Sequence, residues 1–121
     1  MVVWKRKERN AYLAWMLLVL LTAVSLRLLS LTTIPPGLTH DEADHGITAW
    51  SIVNGARAVY FTIGYGREPL YDYATAVLMR FLGPTYLAGR LTAVYFSLIL
   101  IAGVAAWVRR AFGWQTAVLT A

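Results

Sequence analysis

The chain has 121 residues, 59% of them apolar and 14% charged, with a formal charge of +5 and no cysteine. The length would suit one soluble domain, but a mean hydropathy of +0.57 and apolar residues gathered in long blocks argue against that class. Without cysteine there is neither a disulfide framework nor a thiolate metal site. The basic residues bracket the apolar blocks rather than lining one face, which reads as a topology signal and argues against a nucleic-acid partner.

In chain order, Trp4-Lys5-Arg6-Lys7-Glu8-Arg9 marks residues 1–10 as a basic tail, expected in the cytoplasm. Ala11–Leu26 carries no charge and the run continues through Arg27 to Leu31, which predicts a first transmembrane helix over 11–31. About 20 residues at about 1.5 Å each cross a hydrocarbon core. Arg27 lies near the far end, where its stem can snorkel to the headgroups. The run is longer than the apolar region of a signal peptide and no A-x-A-like site follows, so it reads as a retained span.

Pro35-Pro36-Gly37 stops that helix. Thr39 and Glu42 have the S/T-x-x-E form of a capping box, which predicts a helix over about 40–54 with Gly55 just beyond it. Residues 55–67 read as irregular. Glu68-Pro69 opens a second helix over about 69–82, with Leu70, Tyr73, Ala74, Val77, Leu78 and Phe81 at helical spacing and Gly83-Pro84 as its stop. Both helices read as amphipathic and membrane-parallel, within an extracytoplasmic loop over 32–85.

A second transmembrane helix is predicted over 86–108, its uncharged Leu91–Val108 entered by Arg90 and closed by Arg109-Arg110. Residues 109–121 are then a cytoplasmic turn and the start of a third span, as in the front portion of a longer polytopic protein. The expected fold is an all-α, multi-pass integral membrane protein of the cell membrane.

The concentration of charge at Thr39-His40-Asp41-Glu42-Ala43-Asp44-His45 stands out, because half of the six carboxylates lie between positions 41 and 44. Carboxylates in a first helical turn cap free N–H groups and favour the positive dipole end, which accounts for Glu42 and partly for Asp41 and Asp44. A metal is a second option. His40 with Asp44, and Asp41 with His45, are each four residues apart, and a divalent ion accepts imidazole plus carboxylate. A general base is a third: a carboxylate beside apolar walls can take a proton from a hydroxyl, with cations nearby for an anionic leaving group. Arg57, Arg67, Arg80 and Arg90 lie in or at the edge of the same loop, where positive charge runs against the positive-inside tendency. A guanidinium suits a phosphate.

Pro35-Pro36-Gly37-Leu38-Thr39-His40-Asp41-Glu42-Ala43, then Gly66-Arg67-Glu68-Pro69-Leu70-Tyr71, then Gly89-Arg90 entering the second span carry a resemblance to a known group. Over roughly residues 11–110 the chain resembles the GT-C superfamily of membrane glycosyltransferases, especially the protein O-mannosyltransferases and the aminoarabinose transferases. The resemblance implies a cytoplasmic N-terminus, one span, and a large extracytoplasmic loop with an Asp-Glu motif at its start. It implies Asp41 as catalytic base and Glu42 as its acidic companion. Arg67 stands where aminoarabinose transferases have a lysine before Pro-Pro-Leu that contacts the lipid phosphate, although Glu68 replaces the first proline here. Arg90 would be a second phosphate or structural contact. No role carries over to Asp44 or His45, so these and His40 stay metal-ligand candidates only.

The implied reaction is inverting transfer of a sugar from a polyprenyl-phosphate donor to an acceptor hydroxyl, with membrane lipid as the other partner. Neither a cofactor nor the acceptor is implied, and a divalent metal stays open. Two rivals remain: a non-catalytic accessory subunit or anchor whose acidic loop binds a cation or partner, and a transporter fragment. The transporter reading calls for ionisable residues in the span cores, where only the peripheral Arg27 occurs.

Overall fold

A computed structural model describes residues 6–64 and 66–121; Trp4 and Lys5 of the basic tail, and Tyr65, lie outside the described residues. The described chain is all-helical, 72% helix without strands, and two of its helices are long and apolar enough to cross a membrane.

The first, α1, is Arg6–Leu28 and contains neither glycine nor proline. Glu8 in its first turn and Arg27 in its last complement the helix dipole. It ends short of the predicted Leu31, at a turn in which Ser30 takes a φ of 58°. Two shorter helices follow, α2 at His40–Val53 and α3 at Leu70–Leu82. The second long helix, α4, is Tyr86–Phe112 and carries Arg109 and Arg110 in its last turn. It overruns the predicted boundary at 108, since nothing opposes helix until Gly113, whose φ is 93°. A six-residue helix, α5, covers Trp114–Leu119.

The chain divides into two compact units, one combining the residues up to Leu29 with Tyr95–Ala121, the other comprising Ser30–Val94. In the first, Tyr12 and Met16 of α1 cluster with Ala105, Val108 and Ala117, and Leu20 and Trp114 pack around them. The Arg109 guanidinium lies 4.8 Å from the centroid of the Tyr12 ring, a cation–π contact. Only 17% of the apolar window of α1, and the same share of α4, is buried, and Leu17, Leu18, Leu21 and Leu100 are exposed. The core helix of a soluble protein would bury such residues.

The second unit is built on α2 packed against α3, with the first turns of α4. Thr39 caps α2 as the sequence predicts: its Oγ1 accepts from Glu42 N–H at 3.3 Å, and Glu42 Oε2 accepts from Thr39 N–H at 3.0 Å. Pro69 lies just outside α3 as its cap, with φ −84°, rather than at the first helical position. The face of α3 turned inward is not the predicted apolar stripe. Asp72, Thr75, Ala76 and Met79 are buried, at helical spacing, while Leu70 is 69% and Phe81 is 81% exposed. On α2 likewise, Thr48 and Ala49 are buried while Ile47 and Trp50 face outward. The unit therefore packs mostly small and polar residues inside, Met79 and Phe61 being its large buried apolar side chains, and shows many of its other large apolar side chains outside. Small residues let helix backbones approach closely, which is the packing mode of helices in lipid.

Ala49 and Ala88 are completely buried and leave no room for added methylenes. Ala49→Leu is expected to destabilise this unit by about 1–3 kcal/mol, read as a lowered midpoint in thermal unfolding of the detergent-solubilised chain. An exposed counterpart, Ile47→Leu, is expected to leave the midpoint within about 0.5 kcal/mol of the parent.

Candidate functional site

The acidic stretch forms the first turns of α2, and each of its side chains has a different environment. Glu42 is the most constrained. Besides its capping bond, it receives Arg90 Nε on Oε1 at 3.0 Å and Arg90 Nη2 on Oε2 at 3.4 Å. The Arg90 hydrogen bond, reinforced by the Thr39 backbone, holds the Glu42 carboxyl below its ordinary range.

Arg90 is only 6% exposed and every nitrogen of its guanidinium is engaged. Nη1 donates to Leu31 O at 2.7 Å; Nη2 donates to Gly37 O at 2.7 Å and to Pro35 O at 3.0 Å. The Tyr86 ring lies under the guanidinium with its centroid 4.9 Å away. Of the two roles expected for Arg90, phosphate or structural contact, this geometry serves the structural one. One side chain ties the segment after α1, the start of α2 and the start of α4 together, and satisfies three carbonyls that a Pro-Pro-Gly turn leaves without helical partners.

Asp44 pairs with Arg67, Nη2 to Oδ2 at 3.4 Å, and lies 3.8 Å from His40 Nε2. Arg67 also donates to Ile63 O at 3.3 Å, and its backbone closes a short loop onto Phe61 through bonds of 3.2 and 2.9 Å. Gly64 sits at the tip with φ 67°; a Cβ there would stand 2.9 Å from Arg67 Nη2 and 3.1 Å from Asp44 Oδ2. Only a glycine lets the backbone approach this ion pair so closely. Arg67 Nε and Nη1 have no partner among the described residues. Arg57 and Arg80 are exposed and form no ion pair among them.

His45 turns away from Asp41, its counterpart four residues back, and meets Asp72 of α3, Nδ1 to Oδ1 at 2.5 Å. Asp72 is fully buried. The Tyr71 ring meets the imidazole edge-on at 4.7 Å and 62°, and its hydroxyl donates to Gly89 O at 2.8 Å. Burial pushes the Tyr71 phenol above its ordinary value, helped by the Asp72 and Glu42 carboxylates, so it stays a hydrogen-bond donor. Among the three metal-ligand candidates, His40 and Asp44 stay together while His45 is drawn to another helix. No group of three His, Asp or Glu side chains able to hold a metal occurs among the described residues. Three-ligand coordination by this set does not fit.

Asp41 is exposed and makes no hydrogen bond or ion pair among the described residues. The site thus comprises one open carboxylate, Asp41, beside three engaged ones: Glu42 with Arg90, Asp44 with Arg67 and Asp72 with His45. Asp72 is the member that sequence reasoning missed. Its signal is a carboxylate inside a helix whose other residues, except Arg80, are uncharged. Comparison with known protein families, curated proteins and solved structures finds no match.

The Glu42 carboxyl sets a pH dependence. Its folded-state value is depressed, so its stabilising contribution is complete above the ordinary glutamate value of about 4.3 and is lost as pH falls through the lower folded value. Acid unfolding of the second unit is therefore expected to steepen below that point, and Glu42→Gln to flatten it. Arg90→Lys is expected to cost about 2–3 kcal/mol in thermal unfolding, because one ammonium cannot reproduce the planar fork that reaches a carboxylate and three carbonyls together.

Proposed function

We propose that this chain carries the acidic-motif region of a membrane glycosyltransferase that moves a sugar from a polyprenyl-phosphate donor to an acceptor hydroxyl with inversion, Asp41 acting as general base. In this reading α1 and α4 cross the membrane and the basic residues at Arg6–Arg9 and Arg109-Arg110 mark the cytoplasmic side. Residues 32–85 then lie outside the cytoplasm, and the residues after α4, from Gly113 onward, open a third span.

The observation that carries the proposal is the division of labour within the acidic stretch. Asp41 is the only one of its three carboxylates among the described residues left without a partner, and it stands on a helix start fixed by the Arg90 bonds. A base needs an open carboxylate held in place; a helix cap needs a bonded one. Glu42 fills the second description and Asp41 the first. A phosphate leaving group needs fixed positive charge. Arg67 supports that part, since two of its nitrogens stay available beside Asp41's neighbour Asp44. Arg90, spent on carbonyls and Glu42, acts as a positioning residue. The outward apolar side chains Ile47, Trp50, Leu70, Val77 and Phe81 support α2 and α3 lying on the bilayer surface, where a lipid-linked donor must be met.

The test is transfer from radiolabelled polyprenyl-phosphate sugars in membranes containing the full-length protein, with and without Asp41→Asn. Transfer by the parent that falls by about 100-fold in the variant at equal expression is the expected result. Equal transfer by both returns Asp41 to helix capping. A parent that transfers from none of the donors favours the non-catalytic reading, in which the acidic loop binds a cation or a partner protein.

A further inference from the structure

Arg57 and Arg80 have no part in the chemistry described so far. Both are exposed, and neither makes a hydrogen bond or an ion pair among the described residues, whereas Arg67 and Arg90 each hold a carboxylate. Arg57 lines an open cleft of about 510 Å³ together with Ala58, Val59, Tyr60 and Tyr73. None of these residues is a carboxylate, so the guanidinium gives the cleft a net positive charge. The cleft has fixed walls. The Tyr73 hydroxyl donates to Ala58 O at 3.2 Å and accepts from Ala58 N–H at 3.1 Å, which pins the loop to α3. The buried Phe61 ring packs 6.1 Å from the Tyr73 ring, and Phe61 pairs with Arg67 through two backbone bonds. Gly66, with φ 83°, lies so close to Tyr60 that a Cβ there would collide with the phenol.

The rim of the cleft is apolar and faces outward: Val59 is 92% and Tyr60 is 54% exposed. The same surface continues along α3. Tyr73 belongs to one helical stripe with the exposed Leu70, Val77 and Phe81. Arg80 follows Tyr73 on that side after about two turns, or about 10 Å. Two cations without protein partners thus border one apolar stripe. Apolar side chains in hydrocarbon with arginine heads at the phosphate level is the arrangement of an interfacial helix. Under the topology proposed above, both arginines run against the positive-inside tendency, so each calls for an anion at that surface. We propose that the Arg57 cleft and the adjoining face of α3 form a docking surface for anionic phospholipid. Arg57 holds a headgroup phosphate in the cleft and Arg80 contacts a second, while Val59, Leu70, Val77 and Phe81 enter the acyl region. A guanidinium matches phosphate oxygens in pairs, and Tyr60 and Tyr73 suit the depth at which aromatic side chains collect. The inference needs α1 and α4 in the bilayer but not sugar transfer, and Asp41 takes no part in it.

The chain has no cysteine, so Val59→Cys carries a single fluorescent label. The labelled chain is placed in nanodiscs of phosphatidylglycerol and phosphatidylcholine, with one lipid at a time brominated on its acyl chains as the quencher. Brominated phosphatidylglycerol is expected to quench more than brominated phosphatidylcholine, by a relative affinity of about fivefold for each arginine. Arg57→Gln is expected to lose about one such factor, and Arg57→Gln with Arg80→Gln to bring the two lipids level, without moving thermal unfolding. Equal quenching of the parent by both lipids, or a preference that survives the double variant, overturns the proposal. A preference abolished by inorganic phosphate at matched ionic strength assigns the cleft to free phosphate and overturns the lipid docking. A second label, at Leu18→Cys on the exposed side of α1, reports insertion. If Leu18 is quenched and Val59 is not, the docking surface alone falls; if neither is quenched, the membrane reading falls and the docking surface with it.

Discussion

The second unit depends on a single buried guanidinium. Arg90 reaches Glu42 with Nε and Nη2 and three carbonyls with Nη1 and Nη2, linking segments up to 59 positions apart in sequence. The capping box orients the helix end without fixing it to its surroundings, and the Asp44–Arg67 and His45–Asp72 contacts tie α2 only to the loop before α3 and to α3, so among the described residues Arg90 alone joins its start to the segment after α1 and to α4. The Leu31, Pro35 and Gly37 carbonyls, in the segment before α2, are satisfied by Arg90 as well. A lysine has the charge but not the directions of these bonds. The acidic stretch is therefore a set of placed groups rather than a solvated run of charge.

Packing in this unit reverses the usual soluble arrangement. Thr48, Thr75, Thr92 and Asp72 are its largest fully buried side chains, while Phe81, Leu70 and Ile47 are exposed. In water the exposed set would cost stability, whereas against hydrocarbon it would cost nothing; inside, Thr48 and Thr92 bond to backbone carbonyls, while Asp72 Oδ2 and Thr75 Oγ1 have no hydrogen-bond partner among the described residues. The same logic applies within α1 and α4, whose leucines face outward along most of their length. Outward apolar faces and an inward polar network are two consequences of one composition, apolar in bulk and charged at one stretch.

Much of the architecture was legible because it follows from local rules. The uncharged runs of α1 and α4 are long enough to read without packing information, and Thr39 with Glu42 announced the start of α2. Boundaries moved where the chain had no strong breaker: α4 runs past Arg109-Arg110 to Gly113 because arginine is a good helix former. What could not be read was which side of α3 faces inward. Periodicity shows that an apolar stripe exists, but not whether protein or lipid covers it, and here Leu70, Val77 and Phe81 of the stripe are exposed while Tyr73, Ala74 and Leu78 are half-buried. The Asp72 partnership with His45 was hidden for the same reason, as was the choice Arg90 makes between phosphate and backbone. Pairings 27 and 48 positions apart are set by tertiary packing and leave no local trace.

Arg90 and Glu42 act as one unit to fix the start of α2, and a double-mutant cycle tests this most directly. Glu42→Ala, Arg90→Ala and the double variant would be compared with the parent by thermal unfolding in detergent. A coupling energy of about 1.5–3 kcal/mol is expected, with the double variant hardly less stable than Arg90→Ala. Additive losses would contradict it, showing that Arg90 holds the backbone carbonyls and Glu42 caps its helix as independent residues.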